Sequence, residues 1–253
     1  MSELPLHIAI RPLNLEDVDQ VLALEELGFH PSERCSPEGV KYRLSACPEL
    51  SSGLFVREFA PKYHKKDTEL SGEGADLHVS KPKDQEQVQQ DQAEKKEEDQ
   101  QQEQDEDDND SLNSYAPEAK STIVKETLIG QVLGTKIDGD FITEESMQIP
   151  DDKESESGVK KGHVESSHTI GIHSVVVHPD YQKKNLATLM LHDYIQKLSN
   201  QEIGEKIAII AKGNLLPFYN RLGFITKGPS KCKHGGEEWF DLHCPLVPED
   251  DDK

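Results

Sequence analysis

The chain has 253 residues, enough for one or two domains with a sizeable core, and its 28 basic and 49 acidic residues give a formal charge of −21. Such a surface repels nucleic acid and anionic lipid and attracts cations, polyamines included, so neither a nucleic-acid nor a membrane partner is expected. No segment approaches the ~18 apolar residues of a membrane span, and the opening Met1-Ser-Glu-Leu-Pro-Leu6 lacks the basic and apolar regions of a signal peptide; the cytoplasm is the expected compartment, with the nucleus open.

In chain order, His7-Ile-Ala-Ile-Arg-Pro-Leu13 alternates in polarity and predicts a first strand. Asn14-Leu-Glu-Asp-Val18 then offers a capping residue and early acids for a helix, with Val18, Val21, Leu22 and Leu24 at helical spacing. A second helix is predicted over residues 37–46, and a strand over Gly53-Leu-Phe-Val-Arg57. From about 62 to 121 the chain turns polar and low in complexity. Residues 84–110 alone hold thirteen acids and nine glutamines against Lys95 and Lys96, a net charge of −11. A stretch this poor in apolar residues cannot offset its ordering entropy, so disorder is expected there. Thr127-Leu-Ile-Gly-Gln-Val-Leu-Gly134 reads as a strand able to pair with residues 53–58. The acidic stretch is then an overgrown hairpin loop, tolerated because closure costs only ~0.6 kcal/mol per doubling of length. Residues 151–162 read as a shorter mobile loop and 248–253 as an acidic tail. The folded domain is expected in two pieces, 5–61 and 122–247.

The best-patterned region follows. Thr169-Ile-Gly-Ile-His-Ser-Val-Val-Val-His178 reads as a strand, and residues 185–198 as an amphipathic helix with Leu186, Leu189, Met190, Tyr194, Ile195 and Leu198 as its stripe. A buried-looking strand, Lys206-Ile-Ala-Ile-Ile-Ala211, precedes a helix over residues 216–222, a strand at Gly223-Phe-Ile225, and an alternating strand over 237–243 that closes the sheet. Helices interleaved with strands predict an α/β class, with a mixed, mostly antiparallel twisted sheet of six to seven strands flanked by helices.

Chemistry concentrates at the junction Val177-His-Pro-Asp-Tyr-Gln-Lys-Lys-Asn-Leu-Ala187. A helix beginning near Asn185 aims unpaired N–H groups and a positive dipole end at its entrance, with Lys183 and Lys184 just before it. That arrangement suits a pyrophosphate, although an ordinary loop with two solvated lysines reads the same way. His163, His168, His173 and His178 lie five apart, but strand neighbours at that spacing face opposite sides and no cysteine is near, so no metal site is expected. The four cysteines form no C-x-x-C pair and read as thiols in a reducing compartment.

Gln182-Lys-Lys-Asn-Leu-Ala187 resembles the acetyl-CoA signature of GNAT acetyltransferases: Gln or Arg, two residues, Gly, one residue, then Gly or Ala. Asn185 stands at the central Gly, a substitution that works if Asn takes the same backbone conformation, since Asn tolerates positive φ. Three further blocks resemble the arylalkylamine N-acetyltransferase branch and its fungal polyamine-acetylating relatives. They are Cys47-Pro-Glu-Leu-Ser-Ser-Gly-Leu-Phe55, His173-Ser-Val-Val-Val-His178 and Leu216-Pro-Phe-Tyr-Asn-Arg-Leu-Gly-Phe224, in family order.

The resemblance implies a single GNAT domain that uses acetyl-CoA as co-substrate. It implies His173 as the base that takes the amine proton and Tyr219 as the acid that protonates the departing thiolate. Val175, Val176 and Val177 would pair with the pantetheine arm; Gln182, Lys183, Lys184, Asn185, Leu186, Ala187 and Thr188 would surround the pyrophosphate; and Asn214 would also touch the cofactor. Phe29, Pro48 and Ile210 would line the amine pocket. Many animal members carry a second histidine two residues before the catalytic one, where this chain has Gly171, so a single base, or one helped by His168, is expected. The animal branch's terminal phosphorylation segments have no counterpart here.

The chemistry independently calls for such residues. An alkylamine of pKa ~10 is about 0.1% neutral at pH 7, so deprotonating it costs about 4 kcal/mol. A neutral imidazole accepts that proton at working pH better than a carboxylate does. The expectation is a monomer that acetylates a small primary amine, with carboxylates at the mouth and an apolar centre. Polyamines rank ahead of arylalkylamines because the core is acidic. Acetylation of protein N-termini or lysines, and a non-catalytic acetyl-CoA-binding role, are the rival readings.

Overall fold

In the computed structural model, residues 5–60, 122–151 and 158–246 are described. The acidic stretch 62–121, the tail 248–253 and the middle of the loop 151–162 lie outside them. Seven strands build one sheet: β1 (Ile8–Pro12), β2 (Ser51–Phe59), β3 (Ile123–Lys136), β4 (Thr169–Val177), β5 (Lys206–Ala211), β6 (Ile225–Pro229) and β7 (Phe240–Pro245). Their order across the sheet is β1-β2-β3-β4-β5-β7-β6, so β2 and β3 are neighbours, as the hairpin reading requires. The last strand does not close the sheet. β7 inserts antiparallel between β5 and β6, leaving β6 at the edge. The five residues of β6 are exposed or half-buried, which suits an edge and gives no alternation from which to read the order.

Alternation along the central strands sends neighbouring residues to opposite faces. Leu54, Ile129, Val132 and Val177 join one buried cluster; Phe55, Leu128, Leu133 and Val176 join another. Helices cover both faces. α1 (Val18–Gly28) and α2 (Pro37–Ala46) pack on the second cluster, through Val18, Val21, Leu24, Val40 and Leu44. α3 (Leu186–Asn200) packs on the first through Met190, Leu191, Tyr194 and Leu198. The short α4 (Leu216–Arg221) adds Tyr219 to that cluster.

Local chemistry fixes the helix starts. Asn14 accepts from Glu16 N while Asp17 reaches back to the Asn14 N–H, a reciprocal cap on the 3-10 turn that leads into α1. Ser36 caps α2 by accepting from Gly39 N at 3.0 Å, with Pro37 in the first turn. Among the described residues, no helix is long and apolar enough to cross a membrane.

Two irregularities in the centre of the sheet position the site. β4 and β5 run parallel and pair over only four positions, from Thr169↔Lys206 to Ile172↔Ile209. Beyond Ile172 the strands part, and the remaining backbone edge of β4 has no strand beside it on that side. On its other side, β4 pairs with β3 through Leu133↔Ser174 and then Gly134↔Ile172. His173 is therefore the extra residue of a β-bulge, a device that re-aims a side chain next to a gap in the sheet.

Candidate active site

The gap between β4 and β5 is a cleft bordered by Ile172–Val175 of β4, Ile209–Ala211 of β5, and Tyr219 of α4. Phe29, which ends α1, and Trp239, which precedes β7, complete an aromatic wall. A second compartment of about 840 Å³ adjoins it behind the α1–α2 connection and is lined by Arg34, Cys35, Ser36, Gly39 and Arg43. The two share Glu33, Met147, His173 and His234, so the His173 imidazole stands at their junction.

His173 Nε2 lies 2.7 Å from Thr135 Oγ1, a wholly buried hydroxyl on β3. Assigning the ring proton to Nε2, donated to Thr135, leaves Nδ1 with a free lone pair. Nδ1 is buried and has no hydrogen-bond partner among the described residues. Burial, reinforced by the nearby Arg43 and by His234, pushes this imidazole well below the ordinary histidine pKa, so the ring is neutral at pH 7.

Tyr219 is buried, and burial alone raises its hydroxyl pKa far above the ordinary tyrosine value, which keeps it protonated. Its ring packs edge-on to Phe218 and Phe224, at centroid distances of 5.0 Å and 5.5 Å. The Tyr219 ring is thus fixed by the core while the residue borders the cleft.

Past the C-terminal end of β4, Asn185 caps α3 with φ +60° and ψ +16°, the left-handed conformation that a glycine would supply there. Its side chain makes no capping bond, and the amides of the first turn of α3 have no intrahelical acceptor. Lys184 sits 5.2 Å from the centre of the Tyr181 ring, and Gln182 Nε2 donates to Val177 O at 3.0 Å, tying the turn to the strand end.

The remaining sequence-predicted residues divide. Phe29, Val175 and Ile210 border the first compartment with His173 and Tyr219. Val176 points away, packing on Gly28, where a Cβ would meet its Cγ1 at 2.5 Å; Val177 faces the α3 core. Pro48 is exposed in a 3-10 turn and Asn214 is exposed beside Leu215; neither borders the cleft. His168 is exposed just before β4 and outside both compartments. At Gly171 a Cβ would meet Ile137 Cγ2 at 2.6 Å and Ile142 Cδ1 at 2.8 Å, so apolar side chains fill the space of a second histidine.

His178 accepts from Asp180 N at 3.3 Å and stacks edge-on to Tyr181, a turn role. His163 accepts from Lys136 N and pairs with Glu165. Among the described residues, no three His, Cys, Asp or Glu side chains cluster as metal ligands would. Thr135, Arg43 and Glu33 border or support the site without having been singled out from sequence. Of these only Arg43 left a signal: an arginine at a buried position of the α2 stripe, three residues from Val40.

The fold is shared with solved structures. The loading GNATL domain of CurA from Lyngbya majuscula superposes with a TM-score of 0.54 at 13% identity, over 95% of this chain and 98% of that one. The GphF GNAT-like decarboxylase in complex with isobutyryl-CoA does so with 0.54 at 11%, over 94% and 99%. Residues 112–238 match the acetyltransferase (GNAT) domain family, and the chain belongs to that family. Serotonin N-acetyltransferase of Macaca mulatta is 25% identical over 119 residues, 47% of this chain and 52% of that protein. The chain spans about half the length of the curated relatives it matches.

Proposed function

We propose that this protein transfers the acetyl group of acetyl-CoA to the primary amine of a small molecule by direct attack. The observation that carries the reading is the His173 imidazole: held neutral, bonded through Nε2 to Thr135, with a buried and unpartnered Nδ1, on a residue that borders the same cleft as Tyr219. The amine nitrogen attacks the thioester carbonyl and its proton passes to His173 Nδ1, directly or through one water. The carbon–sulfur bond breaks, and the departing thiolate takes a hydrogen bond and then the proton of Tyr219, which solvent restores.

Acetyl-CoA fits residues of this chain. The unpaired edge of β4 beyond Ile172 suits the amides of a pantetheine arm. The left-handed Asn185 and the first-turn amides of Leu186, Ala187 and Thr188, with Lys183 and Lys184 alongside, suit a pyrophosphate. Phe29 and Ile210 are the residues proposed at the acceptor. Polyamines and arylalkylamines are the acceptor classes carried forward. The acidity of the chain supports the first; the aromatic wall and the likeness to serotonin N-acetyltransferase support the second.

The test is incubation with acetyl-CoA and a panel of small amines, peptides with free N-termini and histone tails, following thiol release. Turnover of small amines above the peptides is the expected result. Release with peptides alone would make this a protein acetyltransferase. Bound acetyl-CoA without turnover on any acceptor would end the enzymatic reading.

A further inference from the structure

The second compartment has a charge that the chain as a whole does not suggest. Arg43 is 5% exposed, on the buried face of α2. Its guanidinium donates to the Cys35 sulfur and, at 2.9 Å, to the Met147 carbonyl, and it forms no ion pair with any described carboxylate. The Cys35 thiol is no counter-charge, since burial raises its pKa and holds it protonated. Arg34, the other guanidinium on this wall, likewise donates only to carbonyls, those of Phe29 and Glu26.

No described carboxylate pairs directly with Arg43, although Glu25 and Arg43 both act electrostatically on the Cys35 thiol. Glu33 is bound to Lys212 at 2.7 Å. Glu25 accepts from Cys35 N, from the Gln131 amide and from the Ser174 hydroxyl. Gly39 borders the compartment, and a Cβ there would press on the Cys35 sulfur at 2.9 Å and come into ordinary contact with Arg43 Nη1 at 3.5 Å. A buried cation without a counter-charge is costly unless something pairs with it. Here it faces a compartment that opens onto the base. A planar fork of donors is the group that recognises a carboxylate or phosphate in two-point fashion.

We infer that the acceptor is a primary amine carrying an anionic group, with the amine at His173 and the carboxylate or phosphate against Arg43 in the second compartment. The inference rests on the acetyl-transfer reading, keeps its chemistry, and sets an anionic amine in place of the polyamine among its acceptors. The transfer itself is unchanged: nitrogen gains the acetyl group, sulfur gains a proton, and the anion takes no part beyond binding. A diamine in the same pose would set its distal ammonium beside two guanidiniums, so polycations are disfavoured in this compartment despite the acidity of the chain.

The experiment uses the full chain with acetyl-CoA and four acceptors of similar length: pentylamine, 1,5-diaminopentane, 5-aminopentanoate and 4-aminobutyl phosphate. The anionic acceptors are expected to exceed pentylamine in kcat/KM by about tenfold or more, as a charge-assisted pair allows, with the diamine below pentylamine. The two anionic arms separate a carboxylate pocket from a phosphate pocket. In Arg43→Met the ratio of anionic to alkyl acceptor should fall to about one, whereas Arg43→Lys keeps part of it. A diamine equal to or better than pentylamine, or a ratio that survives Arg43→Met, overturns the inference. Should Arg43→Met fail to fold, the wild-type ranking decides alone. If no acceptor releases thiol, the acetyl-transfer reading has failed instead. Stabilisation of the wild type by glutarate or inorganic phosphate, absent in Arg43→Met, then still reports the anion site, and its absence from the wild type overturns it.

Discussion

The two compartments that meet at His173 are built differently. The first lies between strands, where Ile172, Ile209 and Ala211 supply an apolar lining and the sheet opens because β4 and β5 cease to pair. The second lies behind helices, where arginines, a thiol and a helix N-terminus supply a polar one. A thioester and an unprotonated amine need the dry, low-dielectric surroundings of the first; a charged recognition group needs fixed donors such as those of the second. His173 borders both, where a bulge places it out of register with its neighbours. The division predicts that losses on the strand side fall on the chemical step, and losses on the helix side on the choice of acceptor.

The largest loss is expected at the junction. His173→Ala should lower kcat/KM by roughly 10²–10⁴-fold at pH 7, the range for removing a positioned base, and by less at high pH, where free amine is abundant. A wild-type rate across about pH 6–9, the region where imidazoles titrate, would remove His173 from the mechanism. The wild-type profile follows from the same environment. The folded pKa is depressed, so the acid limb due to His173 should fall below the ordinary value of ~6.5. For stability, the unfolded chain takes up this proton first. The contribution is therefore complete above ~6.5 and is lost as pH falls towards the folded pKa. Melting temperature against pH should show a shallower acid decline in His173→Gln than in the wild type.

Tyr219→Phe tests the strand side alone. Only the hydroxyl is removed while the ring stays packed on Phe218 and Phe224, so kcat should fall by about 10²-fold with acetyl-CoA affinity largely kept. A loss confined to cofactor affinity would make Tyr219 a binding residue. Thr135→Val should cost less. Without its partner the ring can turn and the required tautomer is no longer selected, at a loss of about tenfold in kcat for a hydrogen bond worth ~1.4 kcal/mol, with KM for the amine little changed. An equal effect on anionic and alkyl acceptors would keep Thr135 on the chemical side of the division.

What was legible in the sequence follows the same line. Helices at 37–46 and near 186 and the strands β4 and β5 announce themselves through local spacing, and the structure has them within a residue or two, whereas β3 begins at Ile123, well before the expected Thr127. His173 and Tyr219 are marked by the family blocks and not by spacing. The bulge at His173 and the early parting of β4 from β5 are matters of register between distant segments, which no local pattern encodes. The order β5-β7-β6 escaped for the same reason. Thr135 reads as an ordinary strand residue until β3 is laid against β4. Arg43 did leave a trace, a charge at a core position of a helix, but only the lack of an ion pair among the described residues gives that trace meaning. The tethering of the described part of the 151–162 loop was also hidden, since Lys161–Asp151 at 2.8 Å and His163 N to Tyr42 at 2.8 Å join segments far apart or too polar to suggest packing.

The smallest expected effects compare two helix N-termini. α2 is closed by its own side chain, the Ser36 hydroxyl on Gly39 N. α3 begins at a left-handed Asn185 whose side chain makes no capping bond, and its first amides are the ones proposed for the pyrophosphate. Ser36→Ala should therefore cost about 1 kcal/mol of stability with acetyl-CoA affinity unchanged. Asn185→Ala forces a residue with a Cβ, and without a local hydrogen-bonding group, into φ +60°. It should cost about 1–2 kcal/mol, either as a lowered melting temperature or, if the turn relaxes out of that conformation, as a loss of acetyl-CoA affinity. Asn185→Gly adopts the same backbone without strain and should bind acetyl-CoA at least as well as the wild type. Calorimetric titration of all three variants separates the cases. Affinity that falls in Asn185→Ala and holds in Asn185→Gly locates the requirement in the backbone conformation. Equal losses in both would mean that the Asn185 amide itself touches the cofactor. No change in either would move the pyrophosphate away from this turn, and the first compartment would lose the ligand proposed to run along its open strand.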